Sequence, residues 1–168
     1  MLRPVTLLFT LLLAASGAHA QEALQRFYKA QKALHGESGG QVAIGPCSLQ
    51  SCPVTVTAKA GTGKRCEVSV SPTILLVDPA NSPGDAITIT FTLSTSGYAF
   101  DPDLSVDVVG DGSSEFDDPT TSPASVTVVN HRKTKKTAYG YNVFVGKVNA
   151  QGKYHRCGFI DPLIVNRD

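Results

Sequence analysis

Ala86-Ile-Thr-Ile-Thr-Phe-Thr-Leu93 alternates apolar and hydroxyl side chains along its whole length. Successive side chains of a β-strand point to opposite faces, so Ile87, Ile89, Phe91 and Leu93 face one way and the threonines between them the other. A strand of that kind has one dry face, and belongs to a sheet packed against a second layer. The same period of two recurs on both sides of it. Val54-Thr-Val-Thr57, Cys66-Glu-Val-Ser-Val70, Ile74-Leu-Leu-Val77, Leu104-Ser-Val-Asp-Val-Val109, Ser125-Val-Thr-Val-Val129, Tyr139-Gly-Tyr-Asn-Val-Phe-Val145 and Leu163-Ile-Val165 all read as strands. Turn-forming clusters separate them: Gly61-Thr-Gly63, Asp78-Pro-Ala-Asn-Ser-Pro-Gly84, Gly110-Asp-Gly112 and Asp118-Pro-Thr-Thr-Ser-Pro123. Short strands with such punctuation predict an antiparallel β-sandwich over residues 41–168.

The chain before residue 41 has a different character. Met1 and the basic Arg3 lead into an apolar run ending in the small residues of Ala18-His19-Ala20. That order is a cleaved secretory signal over residues 1–20, with the cut after Ala20. Residues 21–35 then carry Leu24, Phe27, Tyr28, Gln31 and Leu34 close to helical spacing, without Gly, Pro or β-branched residues. Gly36-Glu-Ser-Gly-Gly40 ends this single predicted α-helix and makes a joint. Such a helix either packs on the domain or docks a partner through Phe27, Tyr28 and Leu34.

Loss of Arg3 takes Lys+Arg from 15 to 14 against 14 Asp+Glu, so the exported domain has no net charge. A balanced chain offers no bulk attraction for nucleic acid. No apolar stretch beyond the signal approaches the roughly 20 residues that span a bilayer as a helix. A domain of this length buries about 70% of its unfolded surface and needs no metal to hold its core.

Export also decides how the cysteines are read. Cys47, Cys52, Cys66 and Cys157 allow three connectivities. The favoured one is Cys47–Cys52 across the short loop Pro46-Cys-Ser-Leu-Gln-Ser-Cys-Pro53, with Cys66–Cys157 joining an early strand to a late one. A zinc site is the weaker reading, because Cys47-x4-Cys52 lacks a second cysteine pair of metal-binding spacing.

Three features are candidates for binding. Asp101, Asp103, Asp107, Asp111, Glu115, Asp117 and Asp118 form an acidic run without a Lys or Arg. Calcium takes hard oxygen ligands of this kind, but the spacing is not that of an EF-hand, and a solvated face with Asp-rich turns explains it more simply. Asn130-His-Arg-Lys-Thr-Lys-Lys136 follows with Arg132, Lys133, Lys135 and Lys136, a candidate site for an anionic polysaccharide or lipid headgroup. Its plainer explanation is a hairpin whose lysines guard a strand edge. If the acidic and basic segments face each other, each consumes the other. Tyr139 and Tyr141, two apart on one strand, are spaced as a sugar-stacking pair; tyrosines so placed also cover half-buried sheet edges.

Catalytic signatures are sparse. The sequence has no G-x-S-x-G elbow, H-E-x-x-H, P-loop or G-x-G-x-x-G. His155 and Asp161 are the one pair that acid–base chemistry suggests, and no nucleophile accompanies them.

The order of strands around Pro79…Pro83-Gly84-Asp85 resembles immunoglobulin-like and cupredoxin-like sandwiches. A blue-copper site needs two His, a Cys and usually a Met, and the only Met is Met1, so the resemblance does not extend to copper. Gly97-Tyr-Ala-Phe100 and Cys157-Gly-Phe-Ile-Asp-Pro-Leu-Ile-Val-Asn166 look like the small bacterial DP-EP family, a group without an assigned activity; that resemblance implies no catalytic residue and no cofactor. The expectation is a secreted or periplasmic, non-catalytic binding module, its partner an anionic polysaccharide, a lipid headgroup or a protein. The alternatives are a small secreted hydrolase or metal-dependent enzyme, and an assembly subunit docking through helix 21–35.

Overall fold

The computed structural model describes residues 43–47, 51–77, 86–109, 114–134 and 137–166, which form twelve strands in two sheets. The predicted signal, helix 21–35, the joint to residue 40, Lys135 and Lys136 lie outside the described residues.

The first sheet runs β1 (Ile44–Cys47), β4 (Ile74–Val77), β12 (Leu163–Asn166) and β10 (Thr137–Val148). β11 (Tyr154–Ile160) continues the β12 side of β10, while β7 (Val106–Val109) and β6 (Tyr98–Phe100) pair with its other side. The second sheet runs β3 (Cys66–Ser71), β2 (Ser51–Ala60), β5 (Ile87–Leu93), β9 (Ser125–Asn130) and β8 (Thr120–Thr121). Inward residues of both sheets share one core, in which Val56, Ile89, Phe91 and Val126 of the second sheet meet Leu75, Tyr141, Val143 and Val145 of the first. The strand 87–93 has the predicted dry face, with Ile87, Ile89 and Phe91 at 1% exposure or less.

One expectation fails. The sheets are mixed and not antiparallel: β1 with β4, β4 with β12, and β2 with β5 are parallel pairs. Parallel neighbours require a crossover, and here it passes through the opposite sheet. The chain leaves the first sheet after β1, builds β2 and β3 in the second, and returns as β4. Alternation of apolar residues reveals which face is dry, but not which way the neighbour runs. This pairing also departs from the all-antiparallel immunoglobulin arrangement.

Both disulfides sit where the sheets must be held together. Cys47–Cys52 joins the end of β1 to the start of β2 at the first crossing, and Cys66–Cys157 ties β3 to β11 across the sandwich with Cα atoms 5.1 Å apart. The second closes 91 residues, which on the loop-entropy account stabilises the fold by about 4–5 kcal/mol. The pairing is the favoured one, and no described cysteine is free.

Candidate functional site

The acidic run does not stay together in space. Asp101, immediately after β6, is 3% exposed and lies on the outer side of the first sheet. Its Oδ2 accepts hydrogen bonds from Arg156 Nε at 2.6 Å and from the Tyr154 hydroxyl at 3.0 Å, while Oδ1 accepts the backbone N–H groups of Asp103 and Leu104. Burial alone would raise this carboxyl group; the Arg156 hydrogen bond, the two N–H donors and Tyr154 overcome it and bring the pKa down to about 2. Burial, helped by the Asp101 charge beside it, pushes the Tyr154 hydroxyl upward. Tyr154 reaches Asp101 by lying over Gly146, where an added Cβ would meet its ring at 2.4 Å. A register shift between Val145 and Gly146 sets Phe159 opposite Phe144. Those rings stack at 5.6 Å, with the Arg156 guanidinium 4.9 Å from the Phe144 centroid.

Glu115 goes the other way, into the end of the sandwich, where it is 1% exposed. It accepts hydrogen bonds from Asn166 Nδ2 at 2.8 Å and from the Thr134 N–H and hydroxyl at 3.1 Å each. The Thr134 hydroxyl, spent on Glu115, accepts in turn from Tyr139. Burial, with the Glu115 charge nearby, raises Tyr139. Asn130 completes the group by donating to Asn166 at 2.8 Å and accepting the Arg132 N–H. Each buried side-chain nitrogen and oxygen here has a partner within the protein, so this cluster closes the fold.

The basic segment packs on the same stretch. His131 Nε2 lies 2.7 Å from Asp117, the His131 N–H reaches the Glu115 carbonyl, and the Lys133 ammonium sits on the Ser114 carbonyl. Acidic and basic segments therefore do consume one another in part. Tyr139 and Tyr141 are corrected as binding residues: they are 7% and 0% exposed, facing inward against Phe116 and Phe91. Sugar stacking needs an exposed ring face, and neither offers one. His155 and Asp161 are corrected as a pair. His155 is the second residue of β11 and Asp161 follows its last, so roughly 20 Å of extended chain, at 3.3 Å per residue, lies between them.

What remains of the run lines a cleft. β7 and β8 are the outermost strands on one side of the two sheets, and between them opens a cavity of about 650 Å³. Asp103, Asp107, Asp117 and Asp118 surround it over an apolar floor that includes Val106, Val108 and Phe116. The Ser105 and Thr121 hydroxyls meet at 2.5 Å and bridge the two edges. Among the described residues Asp103, Asp107 and Asp118 have no ion pair, and β7 pairs only with β10. Phe144 N–H donates to the Ser105 carbonyl. Antiparallel alternation therefore points the backbone groups of Val106 and Val108 away from β10, along the free edge.

Sequence reading found the carboxylates but not their division, because a strand edge is a property of topology. Copper does not fit these residues, since all four cysteine sulfurs are in disulfides. Among the described residues no helix is long and apolar enough to cross a membrane.

No protein-family model matches the chain, and no curated protein matches it. Among solved structures it is similar to a methionine-to-leucine variant of rusticyanin, 15% identical over 81% of this chain and 90% of that one, with a TM-score of 0.36. A histidine-to-methionine variant of rusticyanin is similar at 15% identity over 83% and 94%, with a TM-score of 0.35. Scores that low carry no weight for the site, and the sandwich rests on its own strand pairing.

Proposed function

We propose that this is a secreted, non-catalytic binding module whose cleft between β7 and β8 takes an extended, cationic segment of a partner protein. The observation that carries the reading is the free edge of β7 lying beside an acidic cleft with an apolar floor. An added strand would find backbone groups at Val106 and Val108, carboxylates at Asp103, Asp107 and Asp118, and a floor for every second side chain. The two disulfides suit an oxidising compartment, which supports export. An anionic polysaccharide or lipid headgroup on loop 130–136 is less well supported, because His131 and Lys133 are engaged with the segment 114–117. A hydrolase built on His155 and Asp161 is weaker still, given their separation.

The test is fluorescence anisotropy with a short labelled peptide alternating lysine and valine. Saturable binding that weakens with added salt is expected, since the cleft's charges are exposed to solvent. Val108→Pro removes an outward N–H without touching a bond to β10, and should abolish binding while the fold persists. No saturable binding, or binding indifferent to Val108→Pro, overturns the reading.

A further inference from the structure

The outer face of the first sheet carries an aromatic and basic platform that the cleft does not use. Phe144 of β10 stands between Val143 and Val145, both buried in the core, so its ring points outward. It stacks on Phe159 of β11, with centroids 5.6 Å apart and ring planes at 30°. Among the described residues Phe159 is the one exposed aromatic side chain, at 55%. A lone surface ring needs no explanation, but this one is held beside a cation. The Arg156 guanidinium lies 4.9 Å from the Phe144 centroid, and its Nε is fixed by Asp101, which is 3% exposed. That bond uses Nε alone, and leaves the terminal amino groups of a half-exposed guanidinium to other acceptors.

We propose that this platform binds an acidic polysaccharide, with a hexuronic acid ring laid on Phe159 and its carboxylate on Arg156. The planar fork of a guanidinium matches a carboxylate, and Asp101 holds this one in place before a ligand arrives. The C–H face of a sugar ring covers an exposed aromatic ring while its hydroxyls stay in water.

The surrounding charge has the right sign. From Thr137 to Ile160 the hairpin of β10 and β11 contains Lys147, Lys153 and Arg156 and no carboxylate. Among the described residues neither lysine is in an ion pair. Asp107 of the cleft pairs opposite Asn142, on the side of Phe144 away from the hairpin turn. A polyanion therefore runs from Phe159 toward Lys153, about 20 Å of extended chain at 3.3 Å per residue, which is longer than one sugar ring. A peptide is the poorer fit. The Phe144 N–H and carbonyl are both taken, by the Ser105 carbonyl and the Asp101 N–H, and β10 has neighbours on both sides. The platform offers side chains and no strand edge for a peptide backbone to join.

Isothermal titration calorimetry tests this in the protein exported from its full-length gene. The probes are six-sugar oligomers of galacturonate and of mannuronate, their methyl esters, and the free monosaccharides. Saturable binding of an oligomer is expected, about tenfold or more tighter than of its ester, whose carboxylates are masked, or of the monosaccharide. Phe159→Ala removes the exposed ring and should weaken binding about tenfold while the native circular dichroism persists. Arg156→Lys keeps the charge but loses the fork, and should weaken it several-fold. No binding of either oligomer overturns the proposal, as does equal affinity for acid and ester or for oligomer and monosaccharide. Affinity unchanged in Phe159→Ala overturns it too, including the case in which Lys133→Gln abolishes binding instead. The site is independent of the cleft: Val108→Pro should leave uronate binding intact, and Phe159→Ala should leave binding of the lysine–valine peptide intact.

Discussion

Asp101 and Glu115 come from the same acidic run as Asp103, Asp107 and Asp118, but the two groups have opposite relations to the fold. The first two are nearly inaccessible, and each carboxylate is surrounded by donors from distant segments. The other three line an open cleft without an ion pair among the described residues. The difference is set by strand geometry and not by residue type. Asp101 falls one residue after β6 on the outer side, where β11 delivers Arg156 and Tyr154. Glu115 enters the sandwich end, where β12 delivers Asn166. A carboxylate that meets a donor from another strand becomes part of the structure. One that meets only water is left to attract a partner.

The sharpest way to break this comparison is Glu115→Ala. It strands Asn166 Nδ2 and the Thr134 N–H in a dry site, and leaving buried donors unmet while breaking a buried charged network costs about 3 kcal/mol. Urea unfolding against Asp118→Ala, expected within about 0.5 kcal/mol of the parent as a surface change, gives the contrast directly. Equal effects at the two positions would erase the distinction between the groups.

Asp101→Asn comes next. The folded pKa of Asp101 is lowered to about 2 from its ordinary 3.8, so the fold holds the ionised form more tightly than the unfolded chain does. That contribution is complete above the unfolded value and disappears as pH falls from about 4 to about 2. At 1.4 kcal/mol per unit it amounts to about 2–3 kcal/mol, and to less once solvent at the half-exposed Arg156 screens the pair. Unfolding curves of parent and variant should differ near pH 5 and converge toward pH 2. Parallel curves over that window would show that the Asp101 charge is not what stabilises the site.

These effects bear on what the sequence could reveal. The alternation in Ala86–Leu93 is legible because burial on one face of a strand selects residue type at every second position. The same logic located β7, β9 and β10 to within a few residues. β11 escaped notice because its outward positions hold Tyr154 and Arg156, polar residues that answer to Asp101 across the sheet, while Gly158 packs against the Cys66 backbone. Parallel pairing escaped for a different reason, since strand direction leaves no trace in the pattern of a single strand. The cleft illustrates both. Its carboxylates were visible as a charge run, but their separation from Asp101 and Glu115 depends on contacts between residues 51 and 55 positions apart. Tyr139 and Tyr141 misled because the alternation that gives them a common face is equally the alternation of a core.

Tyr139→Phe sharpens that last point at a smaller scale. It removes the hydroxyl that donates to Thr134 and keeps the edge-on ring contact with Phe116. A net hydrogen bond of this kind contributes about 1 kcal/mol. A core role predicts that loss in unfolding free energy together with unaltered binding of any ligand. A binding role would instead lower affinity at constant stability.

The smallest expected change in stability, and the largest in recognition, belongs to the cleft. Asp107→Asn combined with Asp118→Asn replaces two solvent-facing carboxylates by amides of the same shape, so unfolding should move by no more than about 0.5 kcal/mol. Removing two negative charges that face one another's surroundings relieves repulsion if anything, and the variant should be at least as stable as the parent at low salt. Binding of a cationic extended peptide should weaken and lose most of its dependence on ionic strength, because charges of this exposure act mainly through screened attraction. The backbone edge at Val106 and Val108 is untouched, so residual affinity should persist at high salt, where Val108→Pro abolishes it. A double variant that binds as well as the parent at every salt concentration would assign these carboxylates to solvation alone. The contrast with Asp101 and Glu115 would then be one of burial without function.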